Sequence, residues 1–118
     1  NRFREYARDD SHNHTRTVWV LKCDIRKFFA NIDHTVLKEI LLRHIKDADT
    51  LRLLCTIIDS FHTKDRHGVG LPLGNLTSKL LVNVYMNEFD QFVKHELRVG
   101  HFVRYADDFV ILGLMVLL

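Results

Sequence analysis

Three aspartates lie where the sequence pattern predicts that strands end. Asp24 follows an apolar run, and Asp107 and Asp108 lie between two short apolar runs, with Asp107 83 residues after Asp24. An ionised carboxylate is costly to desolvate unless it is paired or binds a cation, and adjacent carboxylates in a tight turn repel each other. Three such oxygen ligands suit Mg²⁺, which keeps waters and takes further ligands from a substrate phosphate. If the first strand lies beside the turn, these residues predict a divalent metal site.

A structural interpretation of the same aspartates stays open at this point. Aspartate is a common turn residue because its side chain hydrogen-bonds to the nearby backbone. A turn pair at Asp107 and Asp108 and an unrelated strand-end residue at Asp24 would need no ligand. The spacing alone does not decide between the two interpretations.

The apolar runs predict the strands that would position these aspartates. Residues 18–23 are β-branched, aromatic and almost continuously apolar, which predicts a buried strand that ends at Asp24. Residues 101–105 and 109–112 predict two short strands. Ala106, Asp107 and Asp108 would form the turn between them and make a hairpin.

Helical signals fill the remainder of the chain. A short helix ends near Arg8, a second begins at Asp33 or His34, and a third follows an N-cap within residues 47–50. After a polar loop over residues 62–70, Asn75 can cap a long helix over residues 76–97, which Gly100 would end. This order predicts an α+β fold without internal repeats or linkers.

Composition limits the class of protein. The 118 residues are 47% hydrophobic and 27% charged, which excludes disordered and collagen-like chains. Two cysteines without metal-ligand spacing exclude a disulfide scaffold and indicate a reducing compartment. The net charge of +2 permits a polyanionic partner without arguing for one. No apolar run approaches the roughly 20 residues of a membrane span, so we expect an intracellular protein without a membrane partner.

Three segments resemble, in order, the reverse transcriptases of the bacterial and group II intron-like class. Residues 21–34 read LKCDIRKFFANIDH, residues 70–83 read GLPLGNLTSKLLVN, and residues 102–112 read FVRYADDFVIL. The YADD sequence alone is a weak signal, whereas the ordered set is specific. The resemblance covers roughly residues 18–113 and implies part of a polymerase palm, an antiparallel sheet with a catalytic hairpin packed on helices.

The resemblance implies a reaction and a metal site. Asp24 and Asp107 correspond to the principal metal ligands and Asp108 to the third carboxylate, and the backbone carbonyl of Ile25 would be a further ligand. The implied activity is RNA-templated DNA synthesis. Two Mg²⁺ ions, for which Mn²⁺ can substitute, would activate a primer 3′-hydroxyl and stabilise the leaving pyrophosphate.

The resemblance also implies contacts with nucleotide, template and primer. Phe29 corresponds to the aromatic residue that excludes a 2′-hydroxyl, with Phe28 in the core, although either ring could be a core aromatic. The remaining implied nucleotide-binding residues are Leu73, Gly74, Arg26 and Lys27. The implied template- or primer-proximal residues are Asn75, Ser78, Asn83, Tyr105 and Ala106. Solvation of the two basic side chains and a capping role for Ser78 are the alternatives. Asp33 is expected to be an N-cap or an ion-pair partner and not a metal ligand.

Two departures from the family pattern concern the subfamily. Leu73 stands where many reverse transcriptases have Gln, and Lys79 follows Ser78 where intron-type enzymes have Pro. The aliphatic residue and the Gly-x-x-x-Ser spacing resemble the reverse transcriptases of diversity-generating retroelements, which implies error-prone copying. Lys79 departs from that pattern too. A maturase-like RNA-binding module of a group II intron protein and an inactive, decayed fragment remain alternatives.

The family pattern extends beyond this chain on both sides, so we expect a fragment that is inactive in isolation. Residues 1–17 would be a polar remnant of the junction between fingers and palm, residues 18–113 the palm core, and residues 114–118 an apolar tail related to truncation. The implied partners are an RNA template, a DNA or RNA primer, dNTPs and an accessory protein of the retroelement. We expect a cytoplasmic location, with a bacterial or phage gene.

Overall fold

The computed structural model describes residues 2–11 and 18–113. The chain divides into two compact units, Asn1–Ile25 with Asp90–Leu118, and Arg26–Phe89. None of the helices in these described ranges is long and apolar enough to cross a membrane. In chain order the elements are α1 (Arg2–Asp10), β1 (Trp19–Asp24), a 3₁₀ turn (Phe29–Asn31), α2 (His34–His44), α3 (Ala48–Asp59), α4 (Leu76–Gln91), a π-helical turn (Phe92–Glu96), β2 (Phe102–Tyr105) and β3 (Asp108–Gly113).

Short polar side chains begin three of the helices. The Asp33 carboxylate accepts hydrogen bonds from the amides of Thr35 and Val36 at the start of α2 (2.8 and 3.2 Å). The side chains of Asp47 and Asn75 cap α3 and α4 in the same way. Each cap satisfies backbone N–H groups that have no partner within the helix. The predicted N-cap at Asp33 and the predicted caps of the next two helices are confirmed.

The helical unit of residues 26–89 is built around apolar side chains with helical spacing. α2 buries Leu37, Ile40 and Leu41, as their positions predict. The larger core of this unit consists of Phe28, Ile32, Leu37, Ile40, Leu41, Ile58, Leu71, Leu81, Val82 and Met86.

The other unit contains a three-stranded antiparallel sheet in the order β1-β3-β2. β3 lies in the centre, α1 packs against it, and Phe102 and Leu112 are buried. The register places Trp19 opposite Gly113 and continues to Asp24 opposite Asp108. The predicted α+β class is confirmed, and the predicted hairpin forms with a loop of two residues, because Asp108 already belongs to β3.

β1 is more exposed than the sequence predicts. Its first two side chains, Trp19 and Val20, are 60% and 48% exposed. The continuous apolar run predicted a strand buried on both faces, but β1 lies at the edge of the sheet and pairs with β3 alone among the described strands. The expectation of a buried strand is wrong because burial depends on neighbouring elements that a strand's own sequence does not specify.

The long helix also ends differently from the prediction. α4 passes into the π-helical turn, after which Arg98 takes the left-handed conformation (φ 55°). The amide of Val99 then donates to the carbonyl of Val93 (3.1 Å). Gly100 is therefore not the residue that ends the helix, although left-handed termination itself is the mechanism that the glycine suggested.

Candidate functional site

The end of the sheet brings together the three predicted carboxylates, Asp24, Asp107 and Asp108, which we call the carboxylate cluster. One oxygen from each side chain lies within 4.8 Å of the other two. The strand pairing places Asp24 directly opposite Asp108. The amide of Ile25 donates to the carbonyl of Asp107 (3.3 Å) and joins the end of β1 to the hairpin loop.

The electrostatics of the cluster reflect this crowding. A hydrogen bond with the Asp24 side chain, some desolvation and the negative charge of Asp24 raise the pKa of Asp108 above its ordinary value. The positive charge of Lys22 opposes this shift. Asp108 therefore retains its proton to a higher pH than an isolated aspartate does.

The donor set fits a hard divalent cation. Carboxylate oxygens are the ligands that Mg²⁺ and Mn²⁺ prefer, and a cation would neutralise the repulsion that now favours protonation of Asp108. Asp24 and Asp108 are exposed and Asp107 is half-buried, so solvent and a substrate phosphate can reach the remaining coordination positions. The residues present can hold such an ion.

An arginine near the cluster holds the hairpin loop. The Arg104 guanidinium binds the Asp90 carboxylate through two parallel hydrogen bonds of 2.7 Å. Its third nitrogen, Nη1, donates to the carbonyl of Ala106 (3.0 Å). The sequence analysis did not single out either charged residue. Asp90 lies 14 positions before Arg104, and no local spacing pattern links them.

The helical unit has an apolar cavity of about 310 Å³. Two of the predicted nucleotide-binding residues, Phe29 and Leu73, line it. The other lining residues are Ala30, Phe61, Thr63, Lys64, Leu71 and Pro72. Phe28 is 7% exposed and packs near Phe29 with an edge-on ring (centroids 5.8 Å apart). The predicted division between a core ring and a partly accessible ring therefore matches the burial of the two side chains.

Comparison with known proteins identifies the family. The sequence model of the family described as "Reverse transcriptase (RNA-dependent DNA polymerase)" matches residues 2–114. This chain belongs to the reverse transcriptase family. The match spans the carboxylate cluster, the cavity of the helical unit and all three motifs on which the resemblance was based.

Curated relatives of this reverse transcriptase chain include intron-encoded proteins. Protein YkfC of Escherichia coli is 35% identical over 86 residues, 70% of this chain and 22% of that protein. Group II intron-encoded protein LtrA of Lactococcus lactis is 32% identical over 79 residues (64% and 13%). The putative COX1/OXI3 intron 2 protein of Saccharomyces cerevisiae is 26% identical over 83 residues (66% and 10%). The chain thus belongs to the group II intron-like class and spans between a tenth and a quarter of these relatives.

A loop in this reverse transcriptase chain holds the Pro72-Leu73-Gly74 turn beside Phe29. The amides of Gly70 and Leu71 donate to the carbonyls of Ile32 and Phe29, both at 2.8 Å. Gly70 takes a φ of 106°, and a Cβ there would overlap Thr63 Oγ1. Glycine is required at this position both by the backbone conformation and by the close approach of Thr63.

His34 is a buried residue that holds the same loop, and its contact with the loop was not predicted from the sequence. Its ring is 4% exposed, and Nε2 donates to the carbonyl of Gly70 (2.6 Å), which requires the tautomer with the proton on Nε2. The sequence analysis saw His34 only as the start of α2. Its partner lies 36 positions away, so no local signal could have found the contact.

The predicted basic pair lies in the turn before Phe28. Arg26 and Lys27 are exposed, and Lys27 takes a left-handed conformation (φ 51°). The side-chain amide of Asn31 donates through Nδ2 to the backbone carbonyl of Lys27 (2.8 Å) and stabilises this turn. Both side chains are accessible to a ligand, and both are also accessible to water, as the alternative interpretation requires.

The predicted template- and primer-proximal residues belong to different units. Tyr105 is 76% exposed beside the hairpin loop, whereas Asn83 is an exposed residue of α4. Ser78 is 2% exposed, and its amide donates to the Asn75 side chain (2.8 Å). Asn75 is therefore the cap of α4, and Ser78, for which the sequence left a capping role open, supplies the backbone amide that the cap binds.

Proposed function

We propose that the protein containing this chain is an RNA-directed DNA polymerase and that the chain is part of its palm. The observation that carries the proposal is the convergence of Asp24, Asp107 and Asp108 within 4.8 Å at the end of the sheet, in a chain of the reverse transcriptase family. The substrates would be an RNA template, a primer with a 3′-hydroxyl and dNTPs. An accessory protein of the retroelement would be a further partner.

The carboxylate cluster would hold two Mg²⁺ ions, for which Mn²⁺ can substitute, with the carbonyl of Ile25 as a further ligand. Bound ions of this kind lower the pKa of the attacking 3′-hydroxyl and stabilise charge on the leaving pyrophosphate. Asp24 and Asp107 supply the negative charge that retains the cations. Asp108 contributes a third carboxylate, and its raised pKa means that protons compete with a cation for it at acid pH.

Nucleotide selection would use the cavity of the helical unit. Phe29, on the wall of this cavity, would exclude a 2′-hydroxyl by leaving no volume and no hydrogen-bond partner for it. Leu73 and Gly74 would lie along the nucleotide, and Arg26 and Lys27 would face its phosphates. Asn75, Ser78, Asn83, Tyr105 and Ala106 would lie near the template or primer.

The finer subfamily proposal is an error-prone enzyme, as in diversity-generating retroelements. Leu73 is 77% exposed at the cavity, and its side chain, unlike that of glutamine, has no amide group that could hydrogen-bond to nucleotide or template. An aliphatic contact discriminates less between correct and incorrect nucleotides than a polar group that is left without a hydrogen bond when the wrong nucleotide binds. Misincorporation by the Leu73→Gln variant, measured on a defined RNA template, should therefore be lower than that of the unaltered protein.

Primer extension on an RNA template tests the polymerase proposal. In the full-length protein that contains this chain, Asp24→Asn and Asp107→Asn should each reduce extension more than tenfold, or by over 1.4 kcal/mol in barrier height. The amide keeps the shape of the side chain and removes its charge. Asp49→Asn, on an 84% exposed side chain of α3, is the matched control and should leave extension unchanged. A folded cluster variant that extends within tenfold of the unaltered protein would contradict the assignment.

The second candidate is a maturase-like protein whose main role is RNA binding. It is favoured by the similarity to the Lactococcus relative, a group II intron-encoded protein. Under this proposal the Asp24→Asn protein should bind intron RNA with unchanged affinity and still promote splicing. Loss of both activities in a folded variant would contradict it.

A further inference from the structure

We propose that Arg104 is a positioning residue for the metal centre: it holds the hairpin loop so that Asp107 presents its carboxylate to the cation. The inference rests on the proposed function, since it assumes that the carboxylate cluster binds divalent ions. It concerns a residue outside the cluster and outside the set that the sequence analysis associated with the site.

The contacts of Arg104 fix the guanidinium in one plane. Nε and Nη2 donate to the two oxygens of Asp90, each at 2.7 Å. The two side chains are only 10% and 20% exposed, so water competes weakly for these bonds. A planar guanidinium held by two parallel bonds has little freedom to rotate. Its remaining nitrogen, Nη1, is thereby aimed at the carbonyl of Ala106, 3.0 Å away.

The residue that receives this third bond has an uncommon backbone. Ala106 takes a φ of 53°, a left-handed conformation that an alanine adopts only where its surroundings impose it. The two-residue loop between the paired residues Tyr105 and Asp108 already favours a positive φ at its first position, and the Arg104–Ala106 hydrogen bond is a second contact that holds the peptide there. Without that bond, the peptide between Ala106 and Asp107 could rotate towards a more common conformation.

Rotation of that peptide would move the metal centre. Asp107 follows Ala106 directly, and its own carbonyl accepts the hydrogen bond from Ile25 (3.3 Å) that joins the loop to β1. A change in the Ala106 backbone would therefore displace the Asp107 carboxylate relative to Asp24 and Asp108. Arg104 acts on the cation through the loop and does not itself contact it.

A purely structural ion pair is the competing explanation. A buried ion pair is weak evidence for stability, because desolvation offsets much of the attraction. Arg104 also donates to the backbone carbonyl of Ala106, which directly precedes the proposed metal ligand Asp107. An experiment must therefore separate an effect on the metal centre from an effect on folding.

Mn²⁺ binding, measured by electron paramagnetic resonance on the full-length protein, provides a readout that does not depend on catalysis. Arg104→Lys keeps the charge opposite Asp90 and loses the planar geometry, so Mn²⁺ affinity should fall about tenfold while the melting temperature without metal changes little. Asp90→Asn, a second variant that loosens the guanidinium without removing it, should weaken Mn²⁺ binding in the same direction. Arg43→Lys, in the exposed pair of Arg43 with Glu88, is the matched control and should bind Mn²⁺ normally.

Rescue by glycine distinguishes positioning from stability. Glycine adopts the left-handed conformation without a steric penalty, so Ala106→Gly combined with Arg104→Lys should recover at least threefold of the lost Mn²⁺ affinity. A loss that follows the melting temperature and is not rescued by glycine would overturn the proposal, as would normal Mn²⁺ binding by folded Arg104→Lys and Asp90→Asn proteins. Asp107→Asn separates the two levels of inference. If Asp107→Asn, Arg104→Lys and Asp90→Asn all bind Mn²⁺ normally, the metal centre itself is refuted. If Asp107→Asn abolishes Mn²⁺ binding while the other two variants bind it normally, only the role of Arg104 is refuted.

Discussion

Asp24 and Asp108 face each other across the last pair of residues that joins β1 to β3. A hydrogen bond with the Asp24 side chain, some desolvation and the like charge of Asp24 raise the pKa of Asp108. Like charges directly opposite each other in an antiparallel pair are also destabilising. The end of the sheet therefore favours the binding of a proton or a cation. Sites that bind cations tolerate such a cost because the ion removes it.

Removal of one of these charges should stabilise the protein in the absence of metal. The folded state holds the Asp108 proton more tightly than the unfolded state does, because the pKa of Asp108 is raised in the folded state. The free energy of unfolding therefore falls as the pH rises through this raised pKa, and the loss of stability persists at higher pH. Asp108→Asn abolishes this penalty. In EDTA, its melting temperature should exceed that of the unaltered protein by an amount that grows from pH 4 upwards and then becomes constant. Identical melting curves across this range would contradict the coupling between Asp24 and Asp108.

Divalent cations should stabilise the protein through the same three side chains. At a Mg²⁺ concentration one hundred times the dissociation constant, the gain is about 2.7 kcal/mol of unfolding free energy. Differential scanning calorimetry should show a higher melting temperature with Mg²⁺ and its reversal by EDTA. The shift should shrink at acid pH, where protons compete at Asp108, and vanish in Asp24→Asn. A full shift in that variant would mean that the ion binds elsewhere.

The two adjacent phenylalanines should have different effects when truncated. Phe28→Ala removes a core ring that is 7% exposed and should destabilise by about 3–5 kcal/mol. Phe29→Ala opens the cavity wall, so it should lower the dNTP/rNTP ratio of kcat/KM with a smaller loss of melting temperature. The ratio and a thermal melt should be measured on both variants. An unchanged ratio in folded Phe29→Ala protein would show that Phe29 does not exclude the 2′-hydroxyl.

Two glycines provide a matched test of the loop that holds the turn beside Phe29. Gly70→Ala forces a side chain into a conformation with φ of 106° and against Thr63, which should cost at least about 1–3 kcal/mol. Gly100→Ala meets nothing within 4 Å and requires no left-handed backbone, so it should be neutral or stabilise by up to about 1 kcal/mol. Chemical denaturation of both variants measures the difference. Equal stabilities would contradict the close contact between Gly70 and Thr63.

Sequence reasoning was most accurate where the signal is local. The caps Asp33 and Asn75 were placed correctly, and the cap expected within residues 47–50 is Asp47, because capping depends on residues two or three positions apart. It was least accurate where a neighbour decides the outcome. Trp19 belongs to a run that predicts burial, yet it is 60% exposed on an edge strand. The π-helical turn after α4 has its C-cap at Leu97 and is followed by the left-handed Arg98, so Gly100 does not end the helix.

The candidate site divides in the same way. The three ordered motifs indicated the reverse transcriptase family and named Asp24, Asp107 and Asp108, because the chemistry of a metal site needs those residue types. Their roles and those of the remaining predicted site residues stay predictions, although the three carboxylates do converge. The segments over residues 12–17 and 114–118, including the predicted apolar tail, lie outside the described residues.

Tertiary structure alone decided how the site is supported. The pairing of Arg104 with Asp90, 14 positions apart, and the bond from His34 to Gly70, 36 positions apart, have no local sequence signature. Periodicity, capping and turn preferences are properties of neighbouring residues and can be read from the chain. A buried hydrogen bond between distant residues depends on the packing of whole elements, because only the folded arrangement excludes the water that would otherwise satisfy the same groups.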